Sequence, residues 1–197
     1  MHQVIWFPVI PVATTSQSFL DQGLRGWEGL PQYWSVKNGE LIGSSAPDGV
    51  KFNTFLVSQK TYRDFELRFQ AQLKGGNSGV QIRSAIFDKN KLAVQGPQCD
   101  IALGYWGSLW GEALPGVGMM KAAPKEVVDR ILKKEDFNDY YIKCVGKHVT
   151  IKLNGQTTVD DDFPKMPEDG IIAWQLHTGG GMEAVFRQIY FTDLSKK

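Results

Sequence analysis

The polar side chains of this sequence that could take part in chemistry share one pattern: they alternate with apolar residues in extended stretches. In Gly79 to Ser84, Val80 and Ile82 would face a core, whereas Gln81 and Arg83 would face outward. The same parity selects Glu66, Arg68, Gln81, Arg83, Gln98, Asp100, Gln175, His177 and Glu183. Their carboxylate, amide, guanidinium and imidazole groups can hold hydroxyl groups through directed hydrogen bonds. If these strands are neighbours, we expect one polar surface, which is either a binding site or an ordinary solvated sheet face.

Two glycine-rich segments could border such a surface. The stretch 104–112 places Trp106 and Trp110 among three glycines, which is unusual for a strand and typical of a binding loop. Indole rings stack on the apolar faces of sugars, although either Trp could instead fill the end of the fold. The turn 75–79, which contains Asn77, lacks the Lys and the following helix of a phosphate-binding loop. We expect its backbone amides at the rim of a groove.

His177 is the histidine that has candidate catalytic partners around it. An imidazole has an ordinary pKa of ~6.5, which suits proton transfer near neutrality, although a half-buried structural role is the alternative. His148 is expected to be structural or solvated, and the run Asp160 to Asp162 is expected to be a solvated turn rather than a calcium site. The sequence contains no GxSxG, HExxH, CxxC or GxGxxG motif.

The elements that must position these residues are mostly strands. Period-two alternation bounded by Gly, Asn, Asp and Pro predicts strands over 34–36, 40–44, 53–58, 65–73, 79–84, 98–103, 140–145, 148–153, 170–177 and 183–191. Helical spacing and an initial proline predict one short amphipathic helix over Pro124 to Lys134, outside the core. The pattern therefore predicts an all-β fold, a two-sheet antiparallel β-sandwich with one short inserted helix.

Composition restricts the class of protein further. The 197 residues suit one domain, and 22 Lys and Arg against 21 Asp and Glu give a net charge of +1. A charge this small argues against a nucleic-acid-binding protein and against a polybasic membrane-surface protein. No apolar run reaches the 18 residues or so that a membrane span needs.

The two cysteines and the N-terminus carry less information. Cys99 and Cys144 lie in apolar alternating stretches, so we expect buried free thiols, with a single bridge as the alternative. The apolar segment within residues 1–17 has no preceding Lys or Arg and contains two prolines, so it is a poor signal peptide. We interpret it as an N-terminal extension or an edge strand before a domain over 18–197. A periplasmic or secreted location is favoured, with a signal peptide that is weak or removed.

Nearly the whole chain resembles the 3-keto-disaccharide hydrolase family. The matching segments are Gly26 to Gly29, Tyr33 to Val36, Asp64 to Leu67, Gly76 to Ser84, Asp100 and Ile101, Gly104 to Leu109, Asn138 to Tyr140, Leu153 to Gly155, Gly170 to Ala173, Gln175 to His177, and Met182 and Glu183. The resemblance implies a concanavalin A-like jelly roll and action on sugars whose 3-hydroxyl is oxidised to a ketone. The segments 94–97 and 113–134 match nothing in the family, so the substrate range does not follow from it.

The chemistry that the resemblance implies assigns roles to the outward residues. A 3-keto group acidifies the hydrogen on carbon 2, a base removes it, and an acid assists departure of the group on carbon 1. His177 is the expected base or a metal ligand, and Asp100 and Glu183 are expected as the acid, a partner base or metal ligands. Glu66 completes the set of candidate catalytic carboxylates. The expected substrate-binding residues are Gln81, Arg83, Asn77, Gln98, Trp106, Trp110 and Gln175.

Two other functions stay open at this point. The same fold serves lectins, so a carbohydrate-binding module without catalysis is one alternative. A glycosidase that uses two carboxylates from Glu66, Asp100 and Glu183 is the other. The expected partner is a small carbohydrate in each case. No cofactor is assigned, and a divalent metal ion on His177, Asp100 and Glu183 stays open.

Overall fold

The computed structural model describes residues 17–195, which form fifteen strands and one helix. The elements are Gln17–Ser18 (β1), Trp27–Glu28 (β2), Trp34–Lys37 (β3), Glu40–Ser44 (β4), Thr54–Ser58 (β5), Phe65–Lys74 (β6), Asn77–Asp88 (β7), Ala93–Ala102 (β8), Leu109–Glu112 (β9), Gly118–Lys121 (β10), Lys125–Ile131 (α1), Asn138–Val145 (β11), His148–Leu153 (β12), Gln156–Asp162 (β13), Ile171–Leu176 (β14) and Glu183–Asp193 (β15).

The strands form two antiparallel sheets. The larger sheet has eight strands in the order β13-β12-β11-β6-β15-β4-β3, with β1 paired to β15. The smaller sheet has seven strands in the order β10-β9-β8-β7-β14-β5-β2. The two-sheet antiparallel sandwich expected from the alternation is confirmed, and the arrangement is that of a concanavalin A-like jelly roll.

The apolar residues of both sheets meet in one core. Phe65, Leu67 and Phe69 of β6 pack in the same buried cluster as Val80 of β7 and Trp174 of β14. Because successive strand residues point to opposite faces, the residues between these core positions point away from the sandwich. Each sheet therefore has its own outer face, and the two outer faces lie on opposite sides of the molecule.

A second apolar cluster covers part of the outer face of the seven-stranded sheet. Phe55 and Val57 alternate with the core residue Leu56, and they pack with Leu92 and Val94 from the end of the β7–β8 hairpin. The pairing of β7 with β8 shifts register between Gln81 and Ala85 and again between Ile86 and Asp88. Such bulges bend a strand and increase its twist, which accounts for a hairpin end that covers its own sheet.

The ten predicted strands are all present, and five further ones were not predicted. Four of these, β1, β2, β9 and β10, are two to four residues long, too short for alternation to be recognised. The fifth is β13, so the interpretation of Asp160 to Asp162 as a turn is wrong: these residues pair with β12. Asp160 and Asp162 instead contact His148 across the pair.

One short helix lies between β10 and β11. Helix α1 begins after Pro124, and Val128 and Ile131 pack against the edge of the main core. Cys99 and Cys144 are buried free thiols. The predicted extension or edge strand falls largely in residues 1–16, outside the described residues. Within residues 17–195, no helix has the length and apolar character needed to cross a bilayer.

Candidate active site

An open cleft of about 180 Å³ lies on the outer face of the seven-stranded sheet. We call it the sheet cleft, and its lining residues are Asn77, Gln98, Asp100, Tyr105, Trp110, Glu112 and His177. Pockets for drug-sized ligands usually measure roughly 300–1,000 Å³, so this volume suits a group closer in size to one sugar ring. Five of these seven residues were predicted from the sequence as site residues, namely Asn77, Gln98, Asp100, Trp110 and His177.

Antiparallel register brings these residues together from four strands. Gln98 on β8 lies opposite Trp110 on β9 and opposite Gln81 on β7. The backbone N–H of His177, directly after β14, donates to the carbonyl of Asn77 at the start of β7 (3.2 Å). Residues that share a row and a parity on adjacent strands are neighbours on the sheet surface. The clustering therefore follows from strand order.

Asp100 has the most perturbed carboxyl group of the cleft. Burial raises its pKa, a hydrogen bond from Gln98 lowers it, and the negative charge of Glu112 adds to the rise, so that the net pKa is about 7 against an ordinary value of 3.8. Only 5% of Asp100 is exposed, and its Oδ1 accepts from the Nε2 of Gln98 at 2.8 Å. A carboxyl group with this pKa exists in both protonation states near neutrality, as a general acid or base requires.

His177 contributes a free ring nitrogen to the same cleft. Its Nδ1 lies 2.8 Å from the carbonyl oxygen of Thr178, and a carbonyl oxygen only accepts, so Nδ1 carries the proton of the neutral ring. Nε2 then holds the lone pair. Within residues 17–195 no group hydrogen-bonds to Nε2, so it is available to accept a proton from a ligand.

Glu112 is a functional candidate that sequence reasoning missed. Its Oε1 accepts from the Nδ2 of Asn53 at 2.6 Å, and the Oδ1 of Asn53 accepts from the backbone N–H of Thr178 at 2.8 Å. Asn53 thereby joins the second cleft carboxylate to the residue after His177. The sequence does contain a signal for Glu112. If residues 109–112 form a strand, Glu112 lies two residues after Trp110 and therefore on the same face.

The glutamines predicted on this face are buried rather than solvated. Gln81 and Gln175 have no exposed surface and Gln98 has 2%. Gln81 donates to Gln98, and Gln98 donates to Gln175 as well as to Asp100. Within residues 17–195 the Nε2 of Gln175 has no hydrogen-bond partner, and neither Gln81 nor Gln175 lines the sheet cleft, so their assignment to substrate contact is corrected.

Three residues of the predicted polar surface lie on the other side of the molecule. Glu66 and Arg68 are on β6 and Glu183 is on β15, and both strands belong to the eight-stranded sheet. Glu66 accepts from the Tyr141 hydroxyl at 2.9 Å, and Glu183 pairs with Lys74 at 2.8 Å. The expectation that they share a surface with Asp100 is wrong, because alternation identifies the outward face of a strand but not its sheet.

Arg83 is also displaced from the predicted surface. It lies at the bulge of β7 with φ +46°, and its guanidinium is buried and paired with Asp64 at 2.8 Å. It donates further to the carbonyl oxygens of Arg63, Gly146 and Pro167. These contacts hold together three segments that connect strands. Arg83 is therefore a structural residue, and its predicted role in substrate binding is wrong.

The two tryptophans of the glycine-rich stretch lie in different parts of the fold. Trp110 lines the sheet cleft with Tyr105, whose ring lies edge-on to it at 6.3 Å. Trp106 is 5% exposed and packs in the main core, 6.1 Å from the ring of Tyr140. The assignment of Trp106 to sugar stacking is therefore corrected, and Tyr105 takes the second aromatic position.

The metal set proposed from the sequence does not assemble. His177 and Asp100 line the sheet cleft, whereas Glu183 lies on the opposite sheet. Among residues 17–195, no three His, Cys, Asp or Glu side chains are grouped as ligands for a metal ion.

Comparisons with known proteins agree with the family that the sequence resembles. Residues 15–192 match the family described as the 3-keto-alpha-glucoside-1,2-lyase-like domain, which confirms the predicted resemblance. No curated protein sequence matches the chain. The family match supports a carbohydrate-related, glycosidase-like function.

Solved structures with the same fold include proteins described as glycosyl hydrolases and carbohydrate-binding modules. A protein described as a candidate glycosyl hydrolase from Parabacteroides distasonis superposes with a TM-score of 0.65 at 21% identity, covering 91% of this chain and 100% of that one. The carbohydrate-binding module CBM66 from Bacillus subtilis gives 0.58 at 17% identity, covering 83% and 93%. A legume lectin-like domain from Entamoeba histolytica gives 0.60 at 12% identity, covering 94% and 100%. At these identities the likeness establishes the fold alone.

Proposed function

The chain belongs to the 3-keto-alpha-glucoside-1,2-lyase-like domain family, and from that premise we propose that it cleaves 3-keto-glucosides in the sheet cleft. The reaction is an elimination across carbons 1 and 2, followed by addition of water. The observation that carries the proposal is the pair of complementary groups in one cleft: a carboxyl group whose pKa of about 7 lets it hold a proton near neutrality and an imidazole with a free Nε2.

In the first step His177 acts as the base. Its Nε2 takes the proton from carbon 2, and the electrons of that C–H bond delocalise onto the 3-keto oxygen as an enolate. The enolate oxygen requires hydrogen-bond donors, and we assign this role to the side-chain amide of Asn77, which lines the cleft. The carbonyl of Thr178 holds the imidazole in the tautomer that can accept the proton.

In the second step Asp100 acts as the acid. The enolate electrons return to form the C1=C2 double bond, the bond from carbon 1 to its oxygen breaks, and Asp100 gives its proton to that oxygen. The products are the free alcohol and an unsaturated 3-keto sugar. Water then adds across the double bond, which makes the net reaction a hydrolysis. His177 and Asp100 recover their starting states by exchanging protons with solvent.

The aromatic wall formed by Tyr105 and Trp110 suits the apolar face of a sugar ring. Asn77 has a buried Oδ1 without a partner in the described part of the chain, which suits acceptance from a sugar hydroxyl. Both features support a pyranose-sized ligand, and a carbohydrate-binding module without catalysis would use them as well.

A 3-keto-glucoside with a chromogenic leaving group tests the proposal, with the unoxidised glucoside as its comparison. We expect turnover of the keto substrate alone, and a loss of roughly a hundredfold or more in His177→Ala and Asp100→Asn. His148→Ala removes a histidine outside the cleft and is the matched control, expected to keep full activity. Each assay is repeated after treatment with a chelator, because metal dependence is a separate question.

Two outcomes would replace the proposal. Binding of the keto-glucoside without turnover would make the protein a carbohydrate-binding module. Equal cleavage of the unoxidised glucoside would favour a two-carboxylate glycosidase, whose pair would be Asp100 and Glu112, the two carboxyl groups that line the cleft.

A further inference from the structure

A buried run of hydrogen-bonded amides ends at Asp100. The hydroxyl of Ser84 lies 2.6 Å from the Oε1 of Gln81, whose Nε2 donates to the Oε1 of Gln98 at 2.9 Å. The Nε2 of Gln98 then donates to the Oδ1 of Asp100 at 2.8 Å and to the Oε1 of Gln175 at 3.1 Å. We propose that Gln98 is a positioning residue that fixes which oxygen of Asp100 carries the transferable proton. The proposal rests on the function proposed above, because it concerns the acid of that reaction.

The orientation of the Gln98 amide follows from its neighbours. Its oxygen accepts from Gln81, and both hydrogens of its nitrogen are used by Asp100 and Gln175. A flip of the Gln98 amide alone would turn two nitrogens toward each other at Gln81 and two oxygens toward each other at Gln175. Since all three glutamine side chains are buried, water cannot compensate such mismatches.

The orientation of the amide decides the site of protonation. The Nε2 of Gln98 offers only donors, so the Oδ1 of Asp100 must accept and cannot present a proton toward it. The proton of the neutral carboxyl group therefore resides on Oδ2. In the elimination, Oδ2 is the atom that delivers the proton to the leaving oxygen.

Gly79 provides the space for this contact. Gly79 is on β7 and lies opposite Asp100 on β8. A Cβ added to Gly79 would lie 2.6 Å from both the Cγ and the Cδ of Gln98. The Gln98 side chain thus crosses β7 over a residue without a side chain to reach Gln175 on β14. Glycine is required here for close approach, since its φ is not in the left-handed region.

Two variants test the role of Gln98 by different routes. Gln98→Met keeps the side-chain length and removes the donor, and Gly79→Ala keeps the donor and displaces it. Gln70→Met is the matched control, because Gln70 donates to Asp139 at 2.8 Å on the opposite sheet in the same manner. The measurements are the carboxyl ¹³C titration of Asp100 and the alkaline limb of kcat/KM against pH.

A hydrogen bond to the ionised form favours that form, so its loss raises the pKa of the acceptor. We expect both test variants to move the Asp100 titration and the alkaline limb upward by roughly one pH unit. Because they break the same contact, the double variant Gln98→Met/Gly79→Ala should move them no further than either single variant. Gln70→Met should leave both unchanged.

The titration separates this inference from the proposed function. If the wild type does not turn over the keto-glucoside, the function fails while the Asp100 titration still tests the contact. An unchanged titration in folded Gln98→Met and Gly79→Ala would overturn the positioning role. An additive double variant would do the same, since it would mean that the two substitutions act on Asp100 independently.

Discussion

Replacing Asp100 by Asn should stabilise the protein while it removes the acid. The Asp100 carboxyl group has its pKa raised from 3.8 to about 7 by burial. A carboxyl group whose pKa is raised on folding binds its proton more tightly in the native state, so native stability falls as pH rises from about 4 to about 7. Asn stays neutral throughout and retains an oxygen that can accept from Gln98.

The size of the gain follows from the two pKa values. The interval from 3.8 to about 7 corresponds to up to about 4 kcal/mol at pH 8, at about 1.4 kcal/mol for each tenfold change in the protonation equilibrium. For a chain of this size, such a change raises the melting temperature on the order of 10 °C. We expect almost no difference between Asp100→Asn and wild type at pH 4, and the full difference at pH 8.

Urea unfolding of both proteins at pH 4, 6 and 8 measures this directly. Asp139→Asn is the control, because Asp139 is an exposed carboxylate that also accepts from a glutamine. A difference between Asp100→Asn and wild type that stays constant across the three pH values would refute the reasoning. So would a destabilised Asp100→Asn at pH 8, since it would mean that the buried carboxylate stabilises the fold.

Four further substitutions test the placements described above. Arg83→Met should lower the free energy of unfolding by about 3 kcal/mol or more, because it removes a buried, fully paired cation, and kcat per folded molecule should not change. Trp106→Ala should cost about 3–5 kcal/mol of stability through a core cavity, whereas Trp110→Ala should raise KM with little change in melting temperature. The aspartates beside His148 raise its pKa, so His148→Gln should reduce stability at pH 5, where the imidazole is charged in both states, and have little effect once the pH exceeds the native pKa. An unchanged melting profile at pH 5 would contradict that last expectation.

Alternation in the sequence was sufficient to predict the sandwich, because strands such as β6 and β12 show it without interruption. It could not assign a strand to a sheet. Glu66 and Asp100 have the same parity relative to the core, yet they lie on opposite outer faces. Assignment to a sheet depends on strand order, which is set by contacts between residues far apart in the chain.

Parity also fails where a strand is irregular or short. The bulge of β7 interrupts the alternation after Gln81, so Arg83 enters the structure rather than facing outward. The strand β9 has four residues, one of which is Gly111, so the sequence shows too little alternation to assign Glu112 to a face. Bulges and short strands often lie beside binding sites, which makes this failure characteristic rather than accidental.

The buried glutamines connect stability with the proposed chemistry. An acid that acts near neutral pH needs a raised pKa, and burial is the cause that raises it at Asp100. Burial alone would also leave the carboxylate without partners once it has lost its proton, and the donor of Gln98 supplies one. The hydrogen bond therefore limits the rise in pKa that burial produces, and the two opposing effects leave Asp100 near 7. We infer that a change to either effect moves the acid away from its working range, which is why stability and activity should respond in opposite directions to Asp100→Asn.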